Sequence, residues 1–416
     1  MYYMGFDPVL YKYGLERLKM IIKREITPYL KKLSEQFPAV AVMGPRQSGK
    51  TTLVKETFPE YAYVSLEDID RRMEAKEDPR GFLASYSQKK GLIIDEIQEV
   101  PELLSYMQGI IDASYRPGYF IITGSQHFLM YEKITQTLAG RIALLILLPL
   151  TINELENANL LPQDFENLLI KGSYPRLYSQ PISPSLWLSN YIGTYVEKDV
   201  RQVLKISDVI TFQKFLKLCA ARVGNLLNYA EIARDCGIDP STAKEWISVL
   251  ETSFIVKLLS PYYKSFNKRV IKSPKLYFYD TALICSLLGI KTAEELHIHP
   301  MRGAIFESFI ISEFFKYSFN RSELPQIYFW RDVQKHEIDC IIEKSFNDVV
   351  PVEIKSGMTI RDDFFDGLVE WKNISGQENS DSYLVYGGDE NFLRKKGHIF
   401  SWRFIDEMLK KIYTRL

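Results

Sequence analysis

An excess of charge of one sign is missing from this chain. Its 416 residues carry 52 Lys and Arg against 52 Asp and Glu, a formal net charge of zero. No global basic bias advertises nucleic acid, and any DNA-facing surface must be a local patch. Cysteine pairing is missing too. Cys219, Cys236, Cys285 and Cys340 are scattered without CxxC spacing, so neither a zinc site nor a disulfide framework is indicated. The longest greasy run, "IALLILLPL", falls far short of the ~20 residues that a spanning helix needs. The N-terminus, "MYYMGFDPVLYKYG", lacks the basic-then-apolar pattern of a signal segment. A cytoplasmic protein without membrane contact is the expectation.

What is present is ordinary globular composition, 46% hydrophobic and 25% charged. The length exceeds one ordinary core and predicts about two to four domains. A helical pattern near residues 15–35 carries Leu15, Leu18 and Ile21 and ends before Pro38. Five short apolar runs follow: "AVAVM" (39–43), "YAYVSL" (61–66), "GLIID" (91–95), "YFIIT" (119–123) and "IALLILL" (142–148). Strands alternating with helices predict a mainly parallel sheet covered on both faces, an α/β domain over 1–150. Residues 151–205 read as a helical linker with aromatic anchors Trp187, Tyr191 and Tyr195. Residues 206–295 form a third region and 296–416 a fourth, opened by the helix "GAIFESFIISEFF" and followed by strands "IYFW", "HEIDCIIE", "VVPVEIK" and "SYLVYG".

"GPRQSGKT" (44–51) matches G-x-x-x-x-G-K-[ST] between a strand and a helical stretch. Gly44 and Gly49 let the backbone wrap closely around a loop that includes Pro45, so that its N–H groups, those of Arg46, Gln47 and Ser48 among them, point at phosphate oxygens. The helix N-terminus at Thr52 adds partial positive charge. Lys50 is expected to reach the β and γ phosphates of ATP, and the Thr51 hydroxyl to ligate Mg²⁺. "GLIIDEIQ" supplies the partner: Asp95 to hold the magnesium and Glu96 to polarise the attacking water. Thr123 and Ser125, ending "YFIITGS", are candidates to contact the γ-phosphate or that water; the alternative is loop hydroxyls satisfying their own backbone. Arg141 reads either as an arginine finger supplied by a neighbouring copy in a homo-oligomer, or as a structural ion pair.

Together, "GPRQSGKTTL", "LIIDEIQ", "IITGSQ", "LAGRIALLILLPLTINEL" and "KGSYPR" resemble a bacterial and archaeal family of AAA-type P-loop ATPases with a poorly characterised C-terminal region. The resemblance implies ATP binding, and hydrolysis through an acid following the magnesium aspartate, the place of Glu96.

"NYAEIARDCGIDPSTAKEWISVLETSFIVKLL" (228–259) reads helix, turn, helix, strand and resembles a winged helix-turn-helix, with the turn at Gly237 and Ser241 as expected cap of the second helix. The start of that helix would face double-stranded DNA through Thr242, Lys244 and Glu245. The next stretch, "YYKSFNKRVIKSPK", interleaves Lys264, Lys268, Arg269, Lys272 and Lys275 with aromatics, a phosphate-neutralising pattern also common on solvated faces.

In "EIDCIIEKSFNDVVPVEIK", a hairpin centred on Phe346 pairs residues whose numbers sum to 692. That register sets Asp339 opposite Glu353, where two carboxylates repel unless a proton or divalent cation lies between them. It also sets Glu337 opposite Lys355, the bland alternative of a cross-strand ion pair. The acid pair, Lys355 and the upstream Glu307 resemble the PD-(D/E)xK nuclease superfamily, of restriction-endonuclease-like fold. The resemblance implies Mg²⁺ on Asp339 and Glu353, with Lys355 stabilising developing charge. The proline that often precedes the first acid is missing before Asp339.

Overall fold

The computed structural model describes residues 21–125, 134, 136–196, 208–262, 272–345, 348–376 and 381–414. Helix α1 (Thr27–Gln36) starts later than its apolar pattern suggested: residues 21–26 are not helical, and the proline in its first turn fits the helix only there. Positions 1–20 lie outside the described residues.

The five apolar runs become β1 (Ala39–Gly44), β2 (Ala62–Ser65), β3 (Leu92–Asp95), β4 (Phe120–Ser125) and β5 (Ile142–Ile146). They pair in parallel in the order β2-β3-β4-β1-β5. Every residue of β1 is buried, as a central strand with both faces covered requires. Alternate side chains feed opposite cores: Ala39, Ala41 and Met43 join Ile94 and Ile122 on one face. Val40 and Val42 join Leu53, Ile93 and Ile121 on the other. Helix α2 (Lys50–Thr57) follows β1, and α3 (Leu103–Ala113) precedes β4.

Beyond the sheet, one hydrophobic cluster runs from Leu148 to Ile412. It takes in α4 (Ile152–Asn157), α5 (Pro184–Tyr191), α6 (Val209–Ala220), α7 (Tyr229–Cys236) and α8 (Pro240–Thr252). Two short strands, β6 (Val256–Leu259) and β7 (Lys275–Phe278), pair antiparallel after them. Gly237 ends α7 at φ 75°, a left-handed turn that glycine adopts without Cβ strain. Ser241 does not cap α8. Asp239 is the N-cap, Pro240 occupies the first turn, and Ser241 is exposed inside the helix.

Helix α9 (Arg302–Asn320) is the keystone. Of its 19 residues, 14 are buried, the mark of a helix packed all round. Its two buried charges satisfy each other and the neighbouring chain: Lys316 Nζ lies 2.7 Å from Glu313 Oε1 and donates to the Leu150 carbonyl at 2.8 Å. Glu313 in turn accepts from the Ile152 N–H at 2.9 Å. The last sheet has the order β12-β13-β11-β10-β9-β8, built from β8 (Ile327–Arg331), β9 (Glu337–Ser345), β10 (Asp348–Lys355), β11 (Tyr383–Tyr386), β12 (Phe392–Arg394) and β13 (Gly397–Ser401). β8, β9 and β10 form an antiparallel meander; α10 (Asp366–Ser375) then returns the chain to β11, parallel to β10. Helix α11 (Ile405–Thr414) packs back on α9. Among the described residues, no helix is long and apolar enough to cross a membrane.

Candidate functional site

The parallel order brings the C-terminal ends of β1, β3 and β4 to one edge, where open α/β sheets bind ligands. Asp95 ends β3 and Ser125 ends β4 level with Gly44. Gly44 must be glycine: a Cβ there would meet the Leu147 carbonyl oxygen at 2.2 Å. Gly49 and Gln47 turn the loop at φ 95° and 62°. Arg46 and Pro45 lie in that turn, Ser48 is fully buried, and Thr52 is exposed on the first turn of α2.

Lys50 is 5% exposed and folds its ammonium back onto its own loop, donating to the carbonyls of Gly44 (3.0 Å) and Pro45 (2.9 Å). Burial pushes that ammonium down to about 8, against the pull of Glu96 and Asp95. Thr51 Oγ1 lies 2.9 Å from Asp95 Oδ2, and the Tyr63 hydroxyl donates to the same oxygen at 2.7 Å. The Thr123 hydroxyl donates to Asp95 Oδ1. A hydroxyl and a buried carboxylate held together this way are the oxygen donors that suit Mg²⁺.

Glu96 follows Asp95 in a left-handed conformation, φ 56° and ψ 50°. For a residue with a side chain this costs on the order of 1–3 kcal/mol. Its carboxylate is bridged by the Gln98 side-chain amide, which also donates to Ser125 Oγ at 3.2 Å. Ser125 N–H and Oγ both lie 3.4 Å from Glu96 Oε2. Thr123 and Ser125 therefore reach the acids rather than their own loop backbone. Arg141 is elsewhere. It stands before β5, at the opposite end of the sheet, in a two-pronged ion pair with Asp112 (2.6 and 3.0 Å). Of its two readings, the ion pair is the one the fold displays.

Two links tie this loop to the rest of the molecule. Arg24 donates to the Ser48 carbonyl (2.7 Å), the Leu148 carbonyl (2.6 Å) and Glu154 Oε1 (3.0 Å). The Tyr191 hydroxyl donates to the Arg46 carbonyl at 3.3 Å, within a cluster where Tyr191 stacks on Trp187 with centroids 4.9 Å apart. The side chain of Tyr195 lies outside the described residues. Neither Arg24 nor Tyr63 nor Gln98 stood out beforehand; no spacing rule links them to the loop.

In the middle region Lys244 and Glu245 are exposed and Thr242 is half-buried on α8. Lys264, Lys268 and Arg269 fall outside the described residues. Lys275 leaves the basic cluster altogether. It is 2% exposed, its ammonium 3.1 Å from Glu307 Oε1 and 2.5 Å from Glu337 Oε1.

The hairpin has the expected register: Val352 faces Cys340, Pro351 faces Ile341 and Val350 faces Ile342, each pair summing to 692. Asp339 and Glu353 are 7% and 6% exposed. Lys355 sits between them, 2.5 Å from Glu353 Oε1 and 3.4 Å from Asp339 Oδ2; the Ile354 N–H donates to Asp339 at 2.8 Å. Burial, reinforced by Asp339, pushes the Glu353 carboxyl up to about 8. Glu353 Oε2 is buried with no hydrogen-bond partner among the described residues. Glu337 does not pair with Lys355; Arg331, directly across on β8, and Lys275 take it instead. Glu307 is held by Lys275 and by the Tyr277 hydroxyl. Among the described residues no three His, Cys, Asp or Glu side chains form a group able to hold a metal ion. An unpartnered buried carboxylate oxygen beside a second carboxylate still fits a divalent cation as a two-acid site.

Residues 36–156 match the family model described as "AAA domain". Residues 162–294 and 302–405 match "Domain of unknown function (DUF8612)" and "Domain of unknown function (DUF4143)". Among solved structures, the Walker-type ATPase PABY2304 of Pyrococcus abyssi is similar at TM-score 0.40 and 12% identity, over 64% of this chain and 96% of that one. AMPPCP-bound DnaA from Aquifex aeolicus is similar at TM-score 0.30 and 16% identity, over 56% and 90%. The uncharacterized protein Rv2008c of Mycobacterium tuberculosis is 30% identical over 332 residues, 78% of this chain and 72% of its own length. The uncharacterized protein Mb2031c of Mycobacterium bovis matches to the same extent. The chain belongs to the family of these mycobacterial proteins, and its N-terminal part is an AAA domain.

Proposed function

We propose that this protein is a Mg²⁺-dependent ATPase whose nucleotide state is passed to a DNA-directed C-terminal body. The observation that carries the reading is the convergence of Lys50, Thr51, Asp95, Glu96 and Ser125 on one sheet edge. Gly44 through Thr52 would cradle the phosphates, with Lys50 exchanging its loop carbonyls for phosphate oxygens. Mg²⁺, when bound at Thr51 and Asp95, would neutralise charge developing between the β and γ phosphates. Glu96 would accept the proton of the attacking water, and Gln98 and Ser125 would orient its carboxylate. Arg24 and Tyr191 touch loop carbonyls directly, so rearrangement of the loop is felt by α4 and α5.

The DNA-directed part rests on the helix–turn–helix with its antiparallel ribbon, and on Asp339, Glu353 and Lys355 on β9 and β10, in the meander of a helix–meander–helix–strand unit. A divalent ion on the acid pair would activate water for phosphodiester attack. A second reading, a switch acting through protein contacts with an inert C-terminal sheet, is favoured by the lysine already bridging both acids. Nucleotide binding by the full chain tests the core of the proposal. Lys50→Ala is expected to lose ATP, and equal ATP affinity for wild type and variant would overturn the assignment.

A further inference from the structure

Lys275 and Tyr277 point from the same face of β7, two residues apart, and both engage Glu307 on α9. The Lys275 ammonium joins Glu307 to Glu337, two residues before Asp339 on β9, and burial together with the Asp339 charge raises the Glu307 carboxyl above its ordinary value. Asp339, Glu353 and Glu307 thus crowd one buried region, but the third is already taken. A lysine ammonium and a divalent ion compete for the same carboxylate oxygens, and the affinity of an oxygen site rises with the number of charged ligands. Lys275 cannot simply leave, because that would strand Glu307 without a counter-charge and leave Glu337 with Arg331 alone.

We propose that Lys275, delivered by the ribbon of the middle region, sets the cation capacity of the C-terminal acid site. Its ammonium serves Glu307 as an internal counter-ion and confines a divalent ion to the Asp339–Glu353 pair. This rests on reading that pair as a divalent-cation site. The orphaned Glu353 Oε2 supplies the open acceptor, and the Lys275–Glu307 contact accounts for the missing third ligand.

The test is Mn²⁺ titration of the full chain by calorimetry without nucleotide, with Asp339→Asn subtracting ions held elsewhere. Lys275→Met is expected to bind Mn²⁺ about tenfold more tightly than wild type, as an added carboxylate ligand would give. Glu307→Gln alone is expected to match wild type, and Lys275→Met with Glu307→Gln to lose the gain. Wild-type binding that Lys275→Met leaves unchanged or weakens overturns the role of Lys275 while the acid pair stands. Absence of binding in wild type and Lys275→Met alike overturns both. Should Lys275→Met fail to fold, Glu307→Gln still decides: a tenfold weakening would make Glu307 a ligand and overturn the proposal, whereas unchanged affinity supports it.

Discussion

Arg24 and Glu154 are joined at 3.0 Å, with side chains 7% and 1% exposed, and the same guanidinium holds the Ser48 carbonyl of the phosphate loop. The pair fixes the loop to the first helix beyond the sheet. Removing one partner of a buried pair strands the other, at about 3–5 kcal/mol. Arg24→Ala should lower stability by that order in denaturant titration. Adding Glu154→Gln should recover part of the loss, because the stranded charge is then gone.

Glu96 and Gln98 offer a finer test of the hydrolytic site. Glu96→Gln should retain ATP and slow turnover by about 10²–10⁴-fold, the usual worth of a general base. Gln98→Ala keeps the carboxylate and loses only its bridge to Ser125, so a smaller drop in steady-state turnover is expected, with ATP affinity unchanged. A Gln98→Ala loss as large as that of Glu96→Gln would refute the orienting role.

At the acid pair, Mn²⁺ should raise the unfolding midpoint of the wild-type chain by more than that of Glu353→Gln, and equal shifts would refute the site. A ligand at 100 times its Kd stabilises by about 2.7 kcal/mol, which differential scanning calorimetry resolves. Plasmid nicking in the same buffer separates cleavage from simple ion binding.

Glu25 supplies a pH dependence. Burial raises its carboxyl above the ordinary value of 4.5, opposed by the Asn153 hydrogen bond and assisted by nearby Glu154 and Asp406. The folded chain therefore holds this proton more tightly than the unfolded chain. The associated stability is complete below the ordinary carboxylate range and is lost as pH rises through the raised value. Glu25→Gln should gain over wild type in thermal midpoint near about pH 8, and the gain should vanish toward about pH 4.

The strands of the first sheet were legible because each is a short, mainly apolar run between turn signals, a pattern that burial on both faces demands in β1, β3 and β4 and that the half-buried edge strands β2 and β5 still follow. The hairpin register was legible for a different reason: a turn-rich loop fixes which numbers oppose, and period two does the rest. What the sequence could not disclose are contacts made across the fold. Lys275 looks like any lysine in a basic stretch until β7 is laid against α9, where Glu307 waits 32 residues away. Arg24 meets Glu154 across 130 residues, with no local signature at either end. Ser241 was a plausible cap by residue type, yet Asp239 precedes Pro240 and takes the position.

Helix α9 packs against β5, β7, β10 and α11, and its Glu313 and Lys316 bond to the chain leaving the sheet. Each of these sockets lies in a different stretch of sequence. A lineage that altered the helix alone would misfit all of them at once. These stretches are therefore bound to be inherited together, and exchange between relatives is expected to succeed only when the whole stretch from β5 to α11 travels as one piece.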